Sequence, residues 1–234
     1  MIVRREFLSA TTAVALGGVA SAPVRAATVQ GWNRAAFEAI LARPYRHRQV
    51  FASARLANGL VLHYMENSLN AYEHGFGEGP GTLHTAAVLY GPSLTVTLHD
   101  DMWARYRLAA LLSDPNADHG LRARLHGAVT SVEGMVGTLL HHGDGNGDPP
   151  ASTNPYAARV AALVSRGASF FVCNNALRNF STMLAKNTPG SQAQAIHDDL
   201  AANLLPGSMI VPAGVAALNA AQEARFTFFQ ATLD

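Results

Sequence analysis

The stretch Ala168-Ser169-Phe170-Phe171-Val172-Cys173-Asn174-Asn175-Ala176-Leu177-Arg178 decides how this chain is read. Phe170 to Val172 form an apolar, aromatic and β-branched run too short for a helix, which reads as a buried strand. The chain turns polar at Asn174 and then takes on helical spacing. A thiol therefore stands at the carboxyl end of a strand, directly before a helix N-terminus. In an open α/β sheet, ligands bind outside the carboxyl ends of the strands. The amides and dipole of a helix N-terminus also favour a thiolate over a thiol. Cys173 is the single cysteine of the 234 residues. It has a plainer reading too, because free cysteine is among the most buried residue types and often packs as a small inert hydrophobe.

Outward from this stretch the same alternation repeats. On the N-terminal side, residues 27–46 read as a leading helical segment, with Trp32, Phe37, Ile40 and Leu41 at helical spacing and Pro44 as a stop. Gln49 to Ala52 is a first strand. Apolar residues from Leu56 to Tyr72 recur with helical period until glycines at 75, 77, 79 and 81 end the segment. Ala86 to Tyr90 is a second strand closed by Gly91-Pro92, and His99 to Leu112 is helical with Trp103 and Tyr106 facing inward. Between about 113 and 153 the pattern blurs, and Gly143 to Pro150 has the composition of a surface loop, which marks an insertion. Helices follow at Tyr156 to Ser165, Asn174 to Ala185, Gln192 to Leu204 and Val215 to Ala224, with strands at Met209 to Val211 and Phe226 to Phe229. Strands alternating with helices predict a Rossmann-like three-layer α/β sandwich, with a mainly parallel sheet of about five strands. Residues 47–234 form one domain on this reading.

The first residues bear on where the protein works. Arg4-Arg5-Glu6-Phe7-Leu8 precedes an uncharged stretch from Ser9 to Ala22, and Val24-Arg25-Ala26 offers small residues for cleavage. Residues 1–26 read as a secretory signal of the twin-arginine type, so a periplasmic or secreted protein is expected. The apolar stretch is too short and alanine-rich for a dependable span, which needs ~20 apolar residues. Removing these residues leaves 14 basic and 15 acidic residues. No basic stripe remains to favour nucleic acid or an anionic membrane surface. A lone exported thiol cannot form an internal disulfide, so the reasons to keep it are burial, an intermolecular bond or reactivity.

Other chemistry-bearing residues are more scattered. Ten histidines invite a metal, yet His63, His84, His99, His126, His141, His142 and His197 show no ligand spacing, and no metal is expected. Asp144, Asn146 and Asp148 alternate like the start of a calcium loop. Pro149 then occupies the position of the required glycine, and Pro155 that of the bidentate glutamate. Gly75-x-Gly77-x-Gly79 follows a helix where a dinucleotide fingerprint follows a strand, so no nucleotide cofactor is indicated. Near the thiol, Asn174 and Asn175 offer amides, and Arg178 lies one turn on as a possible anion contact. Asn174 also reads as a helix cap, and Arg178 as a solvated charge. His99 is expected on the same sheet edge as Cys173, where it could act as base or pair with the thiolate. Gly91 is expected to let backbone approach a ligand at a strand-end turn.

The tail carries a resemblance. The cysteine strand with Asn174-Asn175-Ala176-Leu177-Arg178, then Leu204-Leu205-Pro206-Gly207, Met209-Ile210-Val211 and Gly214-Val215-Ala216-Ala217-Leu218 with Gln222, resembles the DsrE/DsrF-like family of small sulfur-relay proteins. Leu69-Asn70-Ala71-Tyr72 and the strand ending at Gly91 fit an exported branch of it. The resemblance covers roughly residues 47–234, less the insertion. It implies a Rossmann-like fold, homo-oligomerisation and, in sulfur-transferring members, a persulfide on the cysteine that corresponds to Cys173. This chain departs from the pattern in its export signal and in the Asn-Asn pair after the cysteine.

The thiol chemistry can also be argued directly. Sulfur relay needs one thiolate that takes a sulfane sulfur and hands it to an acceptor, whereas a disulfide oxidoreductase normally needs a resolving cysteine, which this chain lacks. Two functions of different class follow. The first is an exported sulfur carrier or sulfurtransferase using Cys173, with a small sulfur compound or a partner thiol as its counterpart. The second is a non-catalytic binding or assembly module in which Cys173 is buried and inert. Exposure of the thiol separates them.

Overall fold

The computed structural model describes residues 31–113 and 152–231. The proposed signal at 1–26 and most of the insertion, with His126, His141, His142 and the Asp144 to Asp148 run, lie outside the described residues. The chain begins with helix α1 (Arg34–Leu41), capped by Asn33, whose side-chain oxygen accepts from the Ala36 amide at 3.0 Å. Strand β1 (His47–Ser53) leads through a short 3-10 turn to α2 (Leu60–Asn70) and then β2 (Leu83–Leu89). A 3-10 segment (Gly91–Thr97), α3 (Asp100–Arg105), α4 (Leu108–Ser113) and α5 (Ala157–Ser165) lie between β2 and β3 (Ser169–Cys173). Helices α6 (Asn174–Asn187) and α7 (Ala193–Ala202), strand β4 (Ser208–Val211), helix α8 (Gly214–Glu223) and strand β5 (Thr227–Gln230) complete it.

All five strands are parallel, in the order β4-β3-β2-β1-β5. The three-layer α/β fold read from the sequence is therefore the fold of the protein. β2 and β3 are buried on every residue, as expected for parallel strands covered on both sides. Alternate side chains divide the core in two. Phe51, Ala87, Leu89, Phe170 and Val172 face α2, α5, α6 and α7, while Val50, Ala86, Val88 and Phe171 face α1 and α8.

This division follows from topology. From β1 to β4 each new strand is added on the same side, and the crossovers keep to one face. β5 returns to pair with β1, and in a right-handed crossover that reversed step takes α8 over the opposite face. The helix after β3 and the helix after β4 thus leave the sheet on opposite faces. The carboxyl ends of these two neighbouring strands are therefore the switch point, the place at which open α/β sheets bind ligands.

Two local readings need correcting. Residues from Gly91 to Thr97 form a buried 3-10 segment instead of a short turn, with Thr95 Oγ1 and Thr97 Oγ1 donating to the Pro92 and Leu94 carbonyls at 2.8 Å. The helix expected from His99 to Leu112 breaks into α3 and α4 at Arg107, which has φ of +50°. Trp103 does face inward, and its indole donates to the Thr95 carbonyl at 3.1 Å; Tyr106 is half-buried and donates to Asp199 at 2.6 Å.

At the opposite, N-terminal edge of the sheet, His84 is fully buried, stacked on Tyr45 with ring centroids 4.8 Å apart. Burial, reinforced by Arg43 and Arg48, lowers its pKa to about 4. The unfolded chain, with an ordinary histidine, binds the proton first as pH falls. Stability is therefore full above pH ~6.5 and declines towards pH ~4, by about 3 kcal/mol in all. Urea midpoints at pH 7 and pH 4.5 check this: His84→Leu should flatten the acid decline, and an unchanged decline would show that His84 is not its source.

Candidate functional site

Strand β3 delivers Cys173 to this switch point. Its partner across the sheet is Val211, the last residue of β4. By the alternation of β3 the Cys173 side chain lies on the face of Phe171, towards α8. Gly214, the first residue of α8, confirms the direction, since a Cβ placed on it would stand 3.3 Å from Cys173 Cβ, 3.2 Å from the Tyr90 ring and 3.1 Å from Val88. The absence of a side chain at 214 lets the start of a ten-residue helix press against the thiol residue. On the other side Cys173 itself is the N-cap residue of the fourteen-residue α6, with an extended backbone at φ −67° and ψ 116°. The N-terminus of α6 thus begins at Cys173, and the N-terminus of α8 packs against its Cβ.

Tyr90 forms the third wall. Burial pushes its phenol above the ordinary value, and the charge of Cys173 adds to the shift, which places the two groups within electrostatic reach. Cys173 is 7% exposed and so nearly enclosed. Gly214→Val should test this packing. A branched side chain among Val88, Tyr90 and Cys173 is expected to cost about 1–3 kcal/mol, read as a lowered urea midpoint. A variant of wild-type stability would contradict the close approach.

The other residues singled out from the sequence divide. Asn175 and Arg178 are exposed on the first turns of α6, and Arg178 contributes a little to holding the Asp198 carboxyl down. Asn174 is neither the cap nor an open contact. It is 3% exposed, the first residue of α6, and its Oδ1 accepts from His197 Nε2 at 2.8 Å. Gly91 does require its glycine, with φ of +60°, but its neighbour is the Ala54 carbonyl oxygen, 2.6 Å from where a Cβ would stand. The close approach there serves chain packing.

His99 is not on the edge of Cys173. Its amide donates to the Asn203 carbonyl at 3.0 Å, and Leu98 bridges to Leu204, just ahead of the start of β4. The 3-10 segment has carried the chain down the length of the sheet, leaving His99 exposed at the N-terminal edge.

Sequence reasoning missed His197. It is 1% exposed on α7 and joins that helix to the start of α6 through Asn174, while its Nδ1 lies 3.1 Å from Asp198 Oδ1. The hydrogen bond from His197 is the main reason the Asp198 carboxyl sits below its ordinary value. Among the described residues no group of three or more His, Cys, Asp or Glu side chains is placed to hold a metal, and no helix is long and apolar enough to cross a membrane.

Fold and site together define a three-layer α/β protein whose single thiol lies at the switch point between two helix N-termini. No family model matches the chain, and no curated protein matches it. Among solved structures it is similar to a protein of unknown function from Methanobacterium thermoautotrophicum, with 16% identity over 79% of this chain and 98% of that chain and a TM-score of 0.40.

Proposed function

We infer that this chain is a sulfur carrier of the DsrE/DsrF-like kind, exported through its N-terminal signal, that takes up sulfane sulfur as a persulfide on Cys173. The observation that supports it is the position of the thiol, between the N-termini of α6 and α8 at the carboxyl ends of β3 and β4. A persulfide anion carries its charge on the outer sulfur, and a helix N-terminus favours such a charge. The transfer balances with one cysteine. The Cys173 thiolate attacks the outer sulfur of a hydropersulfide donor, R-S-SH. The Sγ–S bond forms as the donor S–S bond breaks, and the bonding pair leaves with R-S⁻. An acceptor thiolate then attacks the same outer sulfur, and Cys173 departs as thiolate. Neither step oxidises or reduces the pair overall, so no second cysteine is needed.

The 7% exposure of Cys173 favours a second reading, in which the cysteine packs inertly within a binding or assembly module. Intact mass after incubation with cysteine hydropersulfide separates the two. Sulfur uptake on wild type and none on Cys173→Ser supports the carrier; no uptake on either leaves the module.

A further inference from the structure

The sheet face that holds Cys173 carries a different group of polar atoms at its other end. Arg48 and His84 are register partners on β1 and β2 and share the parity of Val50 and Ala86, so both lie on the face covered by α1 and α8. Arg48 donates through Nη1 to the Ala224 carbonyl at 2.9 Å and through Nη2 to the Arg43 carbonyl at 3.1 Å, while its Nε is buried without a partner. His84 is fully buried, with Nε2 3.1 Å from Ser169 Oγ and Nδ1 lacking any partner. Two adjacent side chains thus each leave one buried nitrogen unsatisfied, which native proteins rarely tolerate. No carboxylate among the described residues makes an ion pair with Arg48.

Arg48 lines one end of a groove of about 650 Å³ between α1 and α8, within the range of small-molecule sites, ~300–1,000 Å³. The walls are apolar: Trp32, Phe37 and Leu41 on one side, Ala216, Ala217 and Ala220 on the other. The groove is also lined by Arg34 and by the carboxylates of Glu38 and Glu223. Arg34 and Glu38 pair with each other at 2.6 Å, and the exposed Glu223 accepts from Asn219 at 2.8 Å. Among the described residues, Arg48 thus stands at one end of an apolar trough without a carboxylate partner.

We propose that the α1–α8 groove binds an amphipathic carboxylate, with the acid group on Arg48 and the alkyl chain along the alanine face of α8. A carboxylate at the Nη edge supplies the counter-charge that Arg48 lacks, and an alkyl chain fills a trough walled mainly by apolar side chains. The site is separate from the sulfur chemistry and stands or falls without it.

Sodium octanoate and octanol, titrated into the full-length chain by calorimetry with Trp32 emission as a second signal, test this. Octanoate should bind one per chain, at least ~tenfold tighter than octanol, because only the acid makes a charge-assisted bond to Arg48. Arg48→Gln should bring octanoate down to the octanol level. Since Arg48 also ties two backbone carbonyls, Ala216→Phe serves as the second variant. Residue 216 is an exposed wall position, so phenylalanine should block the groove and abolish binding in a folded protein. Equal affinity for the alcohol, or binding that survives Ala216→Phe, overturns the proposal. So does a full-length chain silent to octanoate, the result expected if residues 1–30 or a second copy fill the groove.

Discussion

Cys173→Ser is expected to abolish sulfur uptake, while wild type gains ~32 Da for each sulfane sulfur and loses it again on treatment with an excess of small thiol. The effect is all or none, because a serine hydroxyl at neutral pH is almost entirely protonated and cannot hold a sulfane sulfur. The fold should tolerate the change. The hydroxyl is smaller than the thiol and sits at a residue 7% exposed, where an unpaired hydroxyl costs about 1–3 kcal/mol. A urea midpoint measured alongside the mass spectrum keeps loss of chemistry distinct from loss of structure. Uptake by the serine variant would place the reactive group elsewhere, and the described residues hold no other thiol.

His197→Ala should destabilise the protein by about 2–5 kcal/mol, the largest effect expected of a polar residue here. The imidazole is 1% exposed and fills space between α6 and α7, and its Nε2 donates to a buried amide oxygen at 2.8 Å. Truncation leaves Asn174 Oδ1 without its donor, at about 1–3 kcal/mol, and opens a cavity that adds about 1–2 kcal/mol. A double-mutant cycle with Asn174→Ala isolates the bond. The pair should couple by about 1 kcal/mol, and strict additivity would show that the contact carries no energy of its own. Asn174 adjoins Cys173, so the same variant is expected to loosen the first turn of α6 and speed alkylation of the thiol.

Much of the architecture was legible because it rests on local pattern. The run from Phe170 to Cys173 fixed the third strand and the start of α6 to the residue, since an apolar, branched segment gives way there to helical spacing. The strands read at Gln49 to Ala52 and Ala86 to Tyr90 fall within or beside β1 and β2, which extend further towards their N-terminal ends. Those missed residues include Arg48 and His84, polar side chains whose burial no linear pattern announces.

The 3-10 segment escaped notice for a related reason. Ser93-Leu94-Thr95-Val96-Thr97 has neither helical period nor the length of a covered strand, and it is buried because its hydroxyls satisfy backbone carbonyls within the segment. That omission misplaced His99 by the length of the sheet.

The site was legible in one residue and opaque in its surroundings. Cys173 announced itself at a strand end. Its neighbours Tyr90 and Gly214 come from other strand ends and could be assembled only once the order β4-β3-β2-β1-β5 was known. The same order locates the switch point between β3 and β4. His197 lies 23 positions from Asn174, and nothing in its local sequence distinguishes it from the other histidines.

The most direct test of the central claim, that Cys173 is a working thiol at the switch point, is its rate of alkylation by iodoacetamide in the native protein, set against the rate at which the protein unfolds. The account predicts that folded protein is labelled much faster than it unfolds, because the thiol stands at the carboxyl ends of β3 and β4, where a small reagent can approach it. Labelling that proceeds only as fast as the protein unfolds would contradict it and make Cys173 a core residue.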